Sequence, residues 1–228
     1  MTQLQQGAPP ILRLGFVGVA TASRIMIVED HGLLLDSLVA ALDNVTDLKV
    51  VAAVQSLEAF IDAFSDAEPD VVVTDLDLGG DSGIRVAEHA RERTEARVLF
   101  MTGRGDKLGV EAAIATGSAG FVSKNAPLGD LVDAIRTVAG GAAVFPAELL
   151  QQVIGADATG VGATLTEREL EVLSLLAQGR NAAEIAESLV VSVHTARNHV
   201  RAILSKIHAR SQLEAVVIGV REGLVQIT

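Results

Sequence analysis

The sequence predicts an α/β fold, a doubly wound five-stranded parallel sheet, followed by a second, all-α unit. Three observations predict it. Short aliphatic runs of strand length alternate with stretches of helical period between residues 24 and 143. Several of these runs end in polar residues, which places reactive groups on one rim of a parallel sheet. Beyond Gly155-Ala156-Asp157-Ala158-Thr159-Gly160-Val161-Gly162, a stretch with no hydrophobic face, every pattern is helical.

Ile25-Met26-Ile27-Val28 is the first strand run and ends in Glu29 and Asp30. His31-Gly32 turn the chain, and Leu33 to Leu42 has apolar residues at helical spacing. Val50 to Val54 is the second strand, and Ser56 caps a helix through Phe64. Val71-Val72-Val73-Thr74 runs straight into Asp75, a third strand buried on both faces. Leu78 to Gly83 reads as a Gly-rich loop, and Ile84 to Arg93 as an exposed helix. Arg97 to Met101 is the fourth strand, ending at Thr102, and Lys107 to Thr116 a short helix. Ala119 to Val122 is the fifth strand, ending at Ser123-Lys124. Pro127 opens a helix at its first position, running to about Ala139. Pro146 to Ile154 forms one more helix before the linker.

In the second unit Thr166 and Glu169 make a capping box, with Leu170, Leu173, Leu176 and Ala177 as the core stripe. Asn181 caps a short helix to Leu189, with Ile185 and Ala186 inward. A tight turn leads to Ser192, which caps a longer helix to about His208. Ser211 caps a last helix to about Arg221. Two helices joined by a short turn, the second long and basic, form a helix-turn-helix.

The chain has 228 residues, 49% hydrophobic and 21% charged, enough for two cores. It has no cysteine, which excludes disulfides and thiolate metal sites and fits a reducing compartment. The net charge is −11, but Val161 to the end balances 7 basic against 7 acidic residues. The first 160 residues therefore carry all the excess acid. No stretch is long and uncharged enough to span a membrane. Ile11 to Ala22 is mildly apolar, but Gly15 and Gly18 break it and it leads directly into a strand. It is read as a tail rather than a targeting signal, and the protein as cytoplasmic.

Glu29, Asp30 and Asp75 converge on the sheet rim and would repel one another unless a cation sits among them. An all-oxygen donor set suits Mg²⁺, and such a site favours a phosphoryl donor. Asp75 is then the nucleophile that forms an acyl phosphate, with Lys124 as a point charge and Thr102 as a hydroxyl donor. Each residue alone has a plainer reading, as a turn or cap residue; their joint placement at successive strand ends sets them apart. Asp75-Leu76-Asp77 also fits the nucleophile/acid pair of haloacid-dehalogenase-like phosphatases, but two strands precede it where the first is expected. A calcium-loop reading of the same residues fails at Gly79 and Val86.

Residues 24 to 143 resemble the receiver domain of two-component response regulators, which has a flavodoxin-like fold. The matching pieces are Ile27-Val28-Glu29-Asp30, Val73-Thr74-Asp75-Leu76, Met101-Thr102 and Gly120-Phe121-Val122-Ser123-Lys124. The resemblance implies that Asp75 accepts phosphate from a sensor histidine kinase. It implies that Asp30, Asp75 and the backbone carbonyl of Asp77 bind Mg²⁺ directly and Glu29 through water. Thr102 and Phe121 match the switch pair, the hydroxyl moving to the phosphate while the ring turns inward. Gly32 and Gly79 stand where many relatives have Pro, which is expected to loosen two loops. Asp77 stands where many relatives have a neutral residue, which predicts an altered dephosphorylation rate.

From His194 to Arg210 there is no acid and there are four Lys or Arg residues. Leu165-Thr166-Glu167-Arg168-Glu169-Leu170-Glu171-Val172-Leu173, Glu184-Ile185-Ala186 and Ser192-Val193-His194-Thr195-Ala196-Arg197-Asn198-His199-Val200 resemble the LuxR-type DNA-binding domain. That resemblance assigns base reading to Arg197, Asn198 and Arg201. Thr195, His199 and Lys206 serve as phosphate contacts or helix packing. A solvated basic face and a His194, His199 and His208 metal site are the competing readings. The whole chain is identified as a response regulator of the NarL/FixJ type, not an enzyme. Its expected layout is a tail over 1–23, receiver over 24–143, linker over 144–163 and DNA-binding domain over 164–228. Phosphorylation at Asp75 is expected to control dimerisation and promoter binding. The alternative is a phosphorylation-independent regulator controlled by a ligand or partner.

Overall fold

The computed structural model describes residues 22–103, 107–146, 149 and 165–226. Most of the expected helix over 146–154, the Gly-rich linker and nearly all of the tail lie outside the described residues. The first unit runs β1 (Ser23–Val28), α1 (Gly32–Leu42), β2 (Leu48–Val54), α2 (Leu57–Ala67) and β3 (Val71–Asp75). It continues through the short β4 (Asp77–Leu78) and β5 (Asp81–Ser82), α3 (Gly83–Arg93), β6 (Arg97–Thr102), α4 (Lys107–Ala115), β7 (Gly120–Ser123) and α5 (Leu128–Ala139).

Five strands form one parallel sheet in the order β2-β1-β3-β6-β7. The order reverses between β1 and β3, and that switch point sets Glu29 and Asp30 beside Asp75. Strand side chains alternate between two cores, as a pleated strand requires. Ile25, Ile27, Val71, Val73 and Leu99 pack with Leu35, Leu42, Ile135 and Val138 of α1 and α5. Met26, Val28, Val72 and Phe100 pack with Phe60, Phe64, Val86 and Val110 of α2, α3 and α4. Each such buried side chain contributes on the order of 1.5–3 kcal/mol relative to exposure.

The stretch expected as a loop contains a small antiparallel hairpin, Asp77 opposite Ser82 and Leu78 opposite Asp81. Gly79 (φ 62°) and Gly80 (φ 130°) close it with positive φ at both positions, the conformation a two-residue hairpin turn needs. Proline, fixed near φ −65°, cannot occupy position 79 in this turn. Gly79 therefore sets a turn rather than merely loosening a loop. Pro127 is the N-cap of α5 (ψ 148°), so the helix starts one residue later than expected.

Val144 and Phe145, expected in the linker, belong structurally to the first unit. Val144 bridges to Gly120, and the Phe145 ring sits 5.2 Å from that of Phe121.

The second unit has α6 (Glu167–Ala177), α7 (Ala182–Leu189), α8 (Val193–Lys206) and α9 (Gln212–Arg221). The Thr166/Glu169 capping box is present, and Asn181 with Glu184 makes a second one. Ser192 and Ser211 accept from the amides of Thr195 and Glu214. The core joins Val172, Leu173, Leu176, Ile185, Ala196, Ile203 and Val216. Val172 takes the place expected for Leu170, which is half-buried, so the inward stripe of α6 is rotated by part of a turn. The two units touch along α4 and α9. Leu213 and Val217 share one apolar cluster with Val110, Ala113 and Ile114. Arg210 donates to the Ala115 carbonyl at 2.6 Å, and Arg221 to Glu111 Oε1 at 2.8 Å.

Candidate functional sites: an acidic pocket and a basic helix

Asp75 ends β3, only 6% exposed, with the next amide, Leu76, bonded to the Met101 carbonyl of β6 at 3.0 Å. The start of α3 lies against its backbone: a Cβ on Gly83 would collide with the Asp75 carbonyl, so only glycine fits there. Glu29 is 0% exposed at the end of β1. The cation among these acids, within the protein itself, is Lys124. Its Nζ lies 2.5 Å from Asp75 Oδ2 and 2.9 and 2.7 Å from the two oxygens of Glu29. Burial pulls the Lys124 pKa down, but the hydrogen bonds and charges of Asp75 and Glu29 together outweigh it and hold the ammonium above its ordinary value. Lys124 is held in place by its amide, which donates to the Thr102 carbonyl at 2.8 Å.

Ligand atoms of Glu29, Asp30, His31 and Asp75 all lie within 4.8 Å of one another. The sequence marks His31 only as a turn residue. Its Nδ1 is 3.0 Å from Asp30 Oδ1 and 3.2 Å from Glu29 Oε1. The bond to Asp30 and its charge, then those of Glu29, raise the His31 pKa. Glu29 Oε2, although near Lys124, has no aligned hydrogen-bond donor, so this buried oxygen has capacity left for a cation. Convergent carboxylate oxygens fit a hard divalent ion.

An open cavity of about 520 Å³ above these groups is lined by Asp30, Asp75, Asp77, Thr102 and Lys124 among others. Asp77 is exposed, and its amide donates to Asp75 Oδ1 at 3.2 Å. Thr102 is buried at the end of β6. Phe121 is fully buried, its ring 5.3 Å from Phe100 in a stacked pair and edge-on to Phe145. The ring is thus already inward, and Phe145, outside the expected domain bounds, is what covers it.

In the second unit Arg197, Asn198 and Arg201 are exposed on α8. Arg197 and Arg201 are four residues apart and share a helix face. That face looks toward the first unit: Arg197 and Arg201 line an interdomain cavity together with Arg91 and Arg97. Thr195 is half-buried and its hydroxyl bonds to Ser192 Oγ at 2.8 Å. His199 is half-buried. Lys206 donates to Glu169 Oε2 at 2.7 Å, so of its two expected roles the geometry favours helix packing. Burial raises the Glu169 carboxyl, but hydrogen bonds from Lys206 and Thr166 outweigh that and hold its pKa below the ordinary value. Among the described residues, His194, His199 and His208 are in no metal-binding cluster.

A buried carboxylate pocket at a sheet switch point, joined to a helix-turn-helix, defines a signal-receiving module coupled to a DNA-reading one. Residues 25–136 match the response regulator receiver domain, and residues 163–218 the bacterial regulatory proteins of the luxR family. The transcriptional regulatory protein DesR of Bacillus subtilis is 31% identical over 199 residues, covering 87% of this chain and 97% of DesR. The nitrate/nitrite response regulator protein NarP of Escherichia coli is 32% identical, covering 87% and 95%. A LuxR-family two-component response regulator from Aurantimonas has a solved structure at 27% identity and TM-score 0.54, covering 58% of this chain and 96% of that one. The RcsB response regulator of Salmonella typhimurium shares the fold over 86% of this chain and 97% of its own, at 22% identity and TM-score 0.54. The chain belongs to the NarL/LuxR family of response regulators, which are DNA-binding transcriptional regulators and not enzymes.

Proposed function

We propose that this response regulator is switched by phosphorylation of Asp75, received from a sensor histidine kinase. One observation carries the reading: Lys124 Nζ sits 2.5 Å from Asp75 Oδ2 at the floor of an open acidic cavity. The ammonium is placed to stabilise charge on a phosphoryl group bonded to that carboxylate. Asp75 attacks phosphorus, the bond from phosphorus to the kinase histidine breaks, and the imidazole leaves. Glu29, Asp30, Asp75 and the Asp77 carbonyl would hold Mg²⁺. The ion, when bound, offsets the negative charge of the phosphoryl group. Thr102 supplies a hydroxyl to the new oxygens, and its movement is felt by Phe121 and the start of α4.

The contact between the two units marks the DNA-excluded form, even with the Phe121 ring already inward. Arg197 and Arg201 face the receiver, and α9 is held on α4 by Leu213, Val217 and the Arg221–Glu111 pair. New charge at Asp75 biases α4, releases α9 and frees α8 for the major groove, where Arg reads guanine and Asn198 reads adenine. A dimer on paired half-sites offsets the modest charge of each DNA-binding unit. We place the receiver unit at 23–145 and the DNA-binding unit from about 164, working in the cytoplasm.

Intact mass after incubation with Mg²⁺ and acetyl phosphate tests the switch. The wild type is expected to gain one phosphoryl group and Asp75→Asn none. No gain in the wild type would instead favour a regulator controlled by a ligand or partner.

A further inference from the structure

Where the units meet they enclose a cavity of about 560 Å³, within the usual range for a small-molecule site. Its wall carries Arg91 and Arg97 from the receiver and Arg197, Arg201 and Arg210 from the DNA-binding unit. Glu95 is the one acid in that wall among the described residues. So many guanidinium groups around one space repel one another unless an anion lies between them. Two are partly engaged: Arg91 donates to the Thr116 carbonyl at 3.3 Å and Arg210 to that of Ala115 at 2.6 Å. Arg97 is half-buried, and burial disfavours its charged form.

The second observation is independent of charge. Ser118 lines the same cavity, is 1% exposed, and its Oγ has no hydrogen-bond partner. Unsatisfied buried polar groups are uncommon and call for a partner.

We propose that this cavity binds a small polyanion of the di- or triphosphate class. The planar guanidinium groups match phosphate oxygens in pairs, and Ser118 adds a neutral donor. The arginines come from both units, so the ligand binds only where the units are closed and shifts the population toward that form. It occupies Arg197 and Arg201 and thereby excludes DNA from the basic helix.

Titration calorimetry of the full-length protein with inorganic triphosphate at near-physiological salt tests this. Saturable binding is expected, weakened about tenfold or more by Arg97→Gln and by Arg91→Gln. Arg91 is exposed, so its variant stays informative if Arg97→Gln fails to fold. Triphosphate should also displace a generic DNA duplex from the wild type at lower concentration than from either variant. Adenosine triphosphate is a second arm: tighter binding than triphosphate, or equal binding, supports the site and tells whether a base is recognised. Adenosine alone binding as tightly as its triphosphate overturns the proposal. So does an absence of binding. So does equal binding by wild type and both receiver variants, because the polyanion would then merely mimic DNA on α8.

Discussion

The acidic pocket and the basic helix hold opposite charges in opposite ways. Glu29 and Asp75 are buried and find their counter-ion inside the protein, in Lys124. Arg197 and Arg201 are exposed and wait for theirs from outside. The difference follows from solvent. A buried charge without a partner is costly, so the fold must supply one; an exposed charge is kept stable by water until something displaces it. The pocket is therefore built as part of the folding unit, and the helix as a surface added to one.

If that contrast is right, removing charge should cost stability in the pocket and affinity on the helix. Lys124→Ala leaves Glu29 and Asp75 buried beside each other without a cation. Destabilisation of about 3–5 kcal/mol is expected in urea unfolding, partly recovered by Mg²⁺. A loss below about 1 kcal/mol would break the contrast. Arg201→Ala should instead leave stability within about 0.5 kcal/mol of wild type and weaken specific DNA binding by about 1–3 kcal/mol, read by fluorescence anisotropy.

Glu169 lies between the extremes, a buried carboxylate in the DNA-binding unit paired to Lys206. Its folded pKa is depressed, so its contribution is present above the ordinary carboxylate pKa and is lost as pH falls through the lowered value. The stability gap between wild type and Glu169→Gln, followed by urea unfolding from neutral to acid pH, should narrow as pH falls. The smallest effect concerns the backbone. Val190, 92% exposed, sits at φ 54° in the turn before α8, a conformation that strains a β-branched residue. Val190→Asn should stabilise by on the order of 1 kcal/mol in the same assay, without touching either charged site.

Sequence patterns reached what is local. The strand runs and the acids that end them place Glu29, Asp30 and Asp75 on one rim, and the serine caps and the capping box locate the helices. What they missed is set by contacts distant in sequence. His31 is the exception, since it bonds to its own neighbours Glu29 and Asp30; only Asp75 of that cluster comes from another strand. Gly83 is fixed by the Asp75 carbonyl, and Phe145 by the ring of Phe121. Lys206 had two readings along its own helix, phosphate contact or packing, and it is Glu169 on another helix that favours packing. Arg91 and Arg97 carry no local signal at all, because their neighbours Arg197 and Arg201 are about a hundred residues away and in another folding unit.

The shared cluster of Val110, Ala113, Ile114, Leu213 and Val217 gives the chain a single cooperative seam. Units that pack through a common apolar cluster do not melt independently, because loosening one bares the other's surface to water. While α9 rests on α4, the receiver lends part of its own folding stability to the DNA-binding unit. If α9 is released as proposed, that loan ends, and the DNA-competent state is expected to be held together by fewer internal contacts than the closed one.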